Sequence, residues 1–196
     1  SGLDTLGQFD SGVAAPWEGP NRVVGINFAT RFEGHVTGGS LIEANGSFYG
    51  YKVHEVEEGE LVRVVRAAKA RRPVTESWLA GWKELEAARM GGGGEGTPES
   101  VRRILDREHA DSLPAFGQLL VDPAGTVWLT AWTHPSDPDG SRPAAEVFDS
   151  QGAWLGSVEL PANLWILDVG IDYLLGVRRG EFDEPYVELH SIDRRE

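Results

Sequence analysis

The 196-residue chain is 40% hydrophobic, enough for one ordinary domain with a sizeable core, and this excludes global disorder. Its 18 basic and 31 acidic residues leave a net charge of −13, which excludes non-specific nucleic-acid binding as the main activity because a phosphate backbone is repelled. Without cysteine there is no disulfide framework, thiolate zinc site or cysteine nucleophile, and no apolar run reaches the roughly 18 residues of a membrane-spanning helix.

The chain opens on Ser1-Gly2 without Met, which reads as the loss of a leader or of a whole N-terminal segment. In chain order, residues 2–9 read as a turn glycine followed by a strand. Residues 41–49 read as an apolar strand, an Asn45-Gly46 turn and an aromatic strand, and 59–65 as a further glycine-led strand. Thr75 then caps a predicted helix with Trp78, Trp82 and Leu85 on one face and Leu79 beside them. The glycine run 91–96 ends it as a flexible loop. A second helix restarts with Thr97 as N-cap and Pro98 in its first position, burying Val101, Ile104 and Leu105, and Leu113-Pro114 closes the segment. Residues 75–112 therefore read as a helical insertion. Residues 63–107 hold 10 basic and 6 acidic residues, a local net of +4, leaving −17 for the rest. That is the pattern of a solvated face, or of a docking surface for an acidic partner.

Strands resume at 119–121, 127–132, 147–148 and 154–158, separated by Asp122-Pro123-Ala124-Gly125, Asp137-Pro138-Asp139-Gly140 and Ser150-Gln151-Gly152. Residues 166–174 repeat the pattern of 41–49 and 119–128: apolar strand, turn, then a strand carrying an aromatic residue. Four antiparallel strands recurring at this interval are the signature of a β-propeller blade.

These residues resemble the bacterial six-bladed β-propeller proteins related to NHL-repeat propellers. The resemblance is strongest over 113–194, through Leu113-Pro114-Ala115-Phe116, the stretches 121–128 and 147–156, the closing-blade stretch 168–177 and Tyr186-Val187-Glu188-Leu189; residues 40–74 fit a preceding blade more loosely. It implies an all-β fold, a partial propeller of about three four-stranded antiparallel blades spanning 1–196, with 75–112 inserted between blades. The blades fall near 38–66 and 114–160, with a closing three-strand piece at 163–194. A full ring needs about twice this chain, so the expectation is a C-terminal part of a longer protein, or two copies completing one ring. The resemblance further implies a periplasmic or extracellular protein.

No nucleophile elbow, phosphate-binding loop or dinucleotide fingerprint occurs. The five histidines lack i,i+2 and i,i+4 spacing, so helical and strand metal patterns are missing. Asp137 and Asp139 echo part of a calcium loop, although its twelfth position falls on Phe148 rather than Glu; no cofactor is expected beyond a calcium ion there. Trp128, Trp132 and Trp165 are the tryptophans placed to stack on sugars, and His134 follows Trp132 at a strand end where propeller loops form sites. Glu181, Asp183 and Glu184 read as a solvated hairpin loop that blunts an edge, or as a carboxylate cluster for general acid/base work or cation binding. The reading is a non-catalytic binding or scaffold module of the bacterial cell envelope, presenting loops through Trp128, Trp132, His134 and Trp165 to a protein or glycan ligand. Self-association through open propeller edges is expected. The alternative is a hydrolase or lyase of lactonase type with an axial metal held by Glu43, Asp122, Asp168 and His134. A third reading gives the docking role to the helical insertion.

Overall fold

The computed structural model describes residues 14–16, 23–25, 27–91, 97–134, 143–180, 182 and 184–194. Among them, eleven strands form three antiparallel sheets, two short strands pair separately near the N-terminus, and two helices interrupt the chain. β1 (Ala14–Pro16) and β2 (Val23–Gly25) make the separate antiparallel pair. The first sheet is the meander β3 (Glu33–Thr37), β4 (Ser40–Ala44), β5 (Gly50–Glu55) and β6 (Leu61–Arg66). The second is β7 (Leu119–Val121), β8 (Val127–Thr130), β9 (Ala144–Phe148) and β10 (Trp154–Glu159). The third has three strands, β11 (Leu164–Val169), β12 (Tyr173–Arg179) and β13 (Pro185–Ser191). The expected antiparallel strands are thus present, with two helices between the first and second sheets. The pairing of β1 with β2 was not foreseen, because neither three-residue segment carries a strong alternation. The strand expected at 2–9 lies outside the described residues, as do Asp137, Asp139, Glu181 and Asp183.

Short-range chemistry sets the turns. Asp122 Oδ1 accepts the backbone N–H groups of Ala124 and Thr126, both at 2.9 Å. Asp149 Oδ1 repeats the arrangement with Gln151 and Ala153, at 2.9 and 2.8 Å. In each case the residue three places on is glycine with positive φ, +80° at Gly125 and +85° at Gly152, where an L side chain is strained. Asn45 does the same work between β4 and β5, accepting from the Ser47 N–H at 3.1 Å.

Packing follows from strand alternation. The face of the first sheet carrying Ile42, Ala44, Tyr51, Val53 and Val65 packs on Leu119, Val121, Val127, Leu129 and Phe148 of the second. The opposite face of the second sheet, with Trp128, Ala145 and Val147, packs on Ile166, Val169 and Leu174 of the third. The second sheet is therefore covered on both sides, and all four residues of β8 are buried. Each fully buried side chain of this size stabilises the fold by about 2 kcal/mol.

The first strands of the three sheets lie together, β7 against both β3 and β11. Glu33 Oε2 accepts the Leu119 N–H at 2.7 Å, and Gln118 Nε2 donates to the Ile166 carbonyl at 2.9 Å. These contacts tie the first strands of neighbouring sheets to one another.

The insertion leaves and re-enters the β framework at one place. Val74 N donates to the Asp111 carbonyl at 2.9 Å, Leu113 N to that of Arg72 at 2.8 Å, and Arg71 donates to the carbonyls of Ser112 and Leu113. Between these points stand α1 (Glu76–Arg89), capped by Thr75 Oγ1 at 3.2 Å from Trp78 N, and α2 (Glu99–Leu105). Val101 and Leu105 are buried as expected, with Ile104 half-buried. Pro98 occupies the cap position of α2, one residue later than foreseen. On α1, Leu85 is 38% exposed while Glu86 and Ala87 are buried. The inward face follows the i,i+4 line through Trp78, Trp82 and Glu86, because Glu86 has partners there.

Candidate functional site

Beyond the last residue of β8, the chain continues through Trp132 and His134, whose rings stack at 5.9 Å with 13° between their planes. The Trp78 ring of α1 meets both, 6.0 Å from Trp132 and 5.9 Å from His134. Phe28 closes the group edge-on, 5.0 Å from Trp78, 4.9 Å from Trp82 and 6.3 Å from Trp132. Such edge-to-face pairs add about 1 kcal/mol each beyond the area they bury. Phe28 holds a φ of +61°, uncommon for a bulky residue. Its neighbour Asn27 fixes that backbone: Asn27 N donates to the Glu108 carbonyl at 2.8 Å, and Asn27 Nδ2 to that of Ile104 at 3.1 Å.

Charge sits at the rim of this group. Arg89 grips Glu86 through Nη2 at 2.7 Å and Nε at 3.0 Å, and His134 Nε2 lies 3.6 Å from the other Glu86 oxygen. The Arg89 hydrogen bond holds the Glu86 carboxyl below its usual value against the opposing effect of burial, helped by the charges of Arg89 and His134. Arg72 places its guanidinium 6.0 Å from the Trp132 ring centroid and donates to the Trp132 carbonyl at 3.2 Å. Trp78, Trp132 and His134 are half-buried, so each keeps an open portion at the surface. The arrangement offers aromatic faces for stacking, bordered by a carboxylate, an imidazole and two guanidinium groups.

The four residues expected to contact a ligand separate into three places. Trp132 and His134 are together here. Trp128 is 3% exposed inside the second core, its indole N–H 3.5 Å from Asp122 Oδ2, so its ring has no face open to a ligand. The expectation that it belongs to an exposed set of sugar-stacking tryptophans fails because both faces of β8 are covered. Trp165 is 60% exposed, on the outer face of the third sheet. Asp137 and Asp139 lie outside the described residues.

The residues considered for an axial metal do not converge. Glu43 meets Lys52 at 3.1 Å and His54 at 3.2 Å; Asp122 meets Arg194; Asp168 accepts from the Tyr173 hydroxyl at 2.8 Å; His134 faces Glu86. Among the described residues, no three His, Asp or Glu side chains gather in a metal-holding group.

Sequence reasoning missed Phe28 and Glu86. The four-residue spacing of Trp78, Trp82 and Glu86 was a signal for the second; Phe28 had none. No family model matches the chain, and no curated protein matches it.

Proposed function

We propose that the chain is an arc of a β-propeller, about three blades wide. In this reading it serves as a non-catalytic binding or scaffold module of the bacterial cell envelope, periplasmic or extracellular. It presents the loops at one end of its sheets to a protein or glycan ligand. The arc is supported by three successive antiparallel meanders stacked face to face, with first strands β3, β7 and β11 adjacent and last strands β6, β10 and β13 mostly exposed. The observation that carries the binding role is the half-buried ring group of Trp78, Trp132 and His134 at the end of β8. Apolar faces bordered by a few fixed polar groups suit stacking on sugar rings or on the side chains of an extended peptide.

Titrating the chain with soluble glycan strands from muramidase-digested peptidoglycan, followed by tryptophan fluorescence, tests this. A saturable change is expected, lost in Trp132→Ala and kept in Trp165→Ala. A response that survives Trp132→Ala, or no saturable response, contradicts a glycan site here.

A further inference from the structure

We propose that His134 is a pH-dependent latch: its protonation fastens α1 to the chain at the end of β8, and its deprotonation loosens that hold. The inference uses the geometry of the ring group and needs no ligand, so it stands apart from the glycan reading.

Two kinds of contact hold α1. Backbone hydrogen bonds from Val74 to Asp111 and from Leu113 to Arg72 tie the base of the segment that carries it. Along its length the contacts are made by side chains. Trp78 and Trp82 meet Phe28, Trp78 also meets Trp132 and His134, and Glu86 faces His134. Lys83 pairs with Asp106 at 2.9 Å, which joins α1 to α2 rather than to the sheets. Histidine is the side chain whose ordinary charge change falls between about pH 5 and 8, and His134 stands directly against α1. Because Trp78 belongs to α1 and Trp132 to the chain beyond β8, this contact sets how firmly the two halves of the ring group are held together.

The surroundings favour the imidazolium. Glu86 Oε1 lies 3.6 Å from His134 Nε2, and the two side chains are only 12% and 16% exposed, so water screens their attraction weakly. The imidazole also stacks on Trp132, whose ring face attracts a cation. Among the described residues, the charged groups around this contact are Glu86 and Arg89 on α1 and Arg72 before it. Both guanidinium groups oppose a second cation. Arg89, however, makes its shortest bond, 2.7 Å, to the other Glu86 oxygen, and Arg72 is 6.0 Å from the Trp132 centroid. The Arg89 hydrogen bond holds the Glu86 carboxyl below its usual value, so the carboxylate is charged throughout the range in which histidine titrates. An attraction made by the protonated form is present below histidine's ordinary value of about 6.5 and is lost as pH rises past it.

Hydrogen exchange of the ligand-free chain tests this at about pH 5.5 and about pH 7.5, on either side of the histidine range. It is read by mass spectrometry, with the intrinsic exchange rate at each pH divided out, on wild type, His134→Phe and Glu86→Gln. Phenylalanine keeps a ring against Trp132 and takes no proton; glutamine keeps an acceptor without the charge. In wild type, protection over Glu76–Arg89 is expected to fall about 4-fold from the lower pH to the higher, while β7–β9 stays level. Neither variant should show the fall in α1. Circular dichroism verifies that each is folded, and if one is not, the other decides. Wild-type protection of α1 that stays level or rises with pH overturns the inference. So does a fall shared equally by β8, or one that persists in a folded variant, which would assign the effect to another group such as His109 after α2. Absence of glycan binding with the pH dependence of α1 intact overturns the binding-site reading alone.

Discussion

Arg194, beyond the end of β13, sets Nη2 2.5 Å from Oδ2 of Asp122, 72 residues earlier in the β7–β8 turn. The same nitrogen donates to the Gly170 carbonyl at 3.0 Å, while the other Asp122 oxygen shapes its own turn. One carboxylate, 1% exposed, thus forms a turn of the second sheet and fastens the tail of the third.

Removing Arg194 leaves that carboxylate buried and without its cation. Arg194→Ala should cost about 3 kcal/mol at pH 7, lowering Tm by about 6–12 °C for a chain of this length. Burial pushes the Asp122 carboxyl up, but the Arg194 hydrogen bond, the Thr126 N–H and the Arg194 charge together hold it below its usual value. A carboxyl lowered by folding stabilises above its unfolded value and loses that contribution as pH falls through the folded one. The gap between wild type and Arg194→Ala should therefore narrow below about pH 4, and thermal unfolding at several pH values measures it.

Glu33 behaves in the opposite sense. Burial lifts its carboxyl above the usual range, with the Leu119 N–H and the Arg31 charge opposing. Glutamine keeps an acceptor for Leu119 and buries no charge. Glu33→Gln should be neutral or stabilising by up to about 1 kcal/mol at pH 7, whereas Glu33→Ala should cost about 1–2 kcal/mol by orphaning the N–H. Denaturant unfolding of both variants decides this.

Gly152 and Gly125 separate conformation from crowding. Both have positive φ, so alanine costs about 1 kcal/mol at either. A Cβ at Gly152 would also lie 2.5 Å from Val65 Cγ2, where the first and second sheets meet, whereas at Gly125 the nearest atom is Ser150 Cβ at 3.3 Å. Gly152→Ala should be the worse variant by about 1–2 kcal/mol, read from chemical denaturation.

Trp132 joins the β framework to the insertion. Trp132→Ala should cost about 2 kcal/mol, less than a fully buried tryptophan. It should also loosen α1 locally, because the ring contacts of Trp78 and Phe28 with Trp132 vanish. Hydrogen exchange is expected to rise over Glu76–Arg89 and stay unchanged over β7–β9.

What the sequence revealed was short-range. The turn at Asp122, the Asn45 turn and the Thr75 cap are made by groups two to four residues apart, so residue type and spacing were sufficient. The order of strands followed from those turns. Distant pairings carried no local trace. Nothing near Asp122 announces Arg194, and nothing near Phe28 announces three tryptophans. Trp128 was misjudged for the same reason: its neighbours say that β8 is a strand, not that a third sheet will cover its second face. Leu85 shows the limit of helical periodicity, since i+3 and i+4 positions fit the pattern equally and only the partners of Glu86 choose between them.

The stacking of the first sheet on the second is tested most directly by Lys69, which follows β6 and places Nζ 3.0 Å from Glu146 Oε1 on β9. The chain has only three lysines, Lys52, Lys69 and Lys83, so zero-length carbodiimide cross-linking read by mass spectrometry is unambiguous. A Lys69–Glu146 linked peptide is predicted, beside the local links Lys52–Glu43 and Lys83–Asp106. If those local links form while Lys69 joins only acidic residues of its own sheet, the stacked arrangement is contradicted.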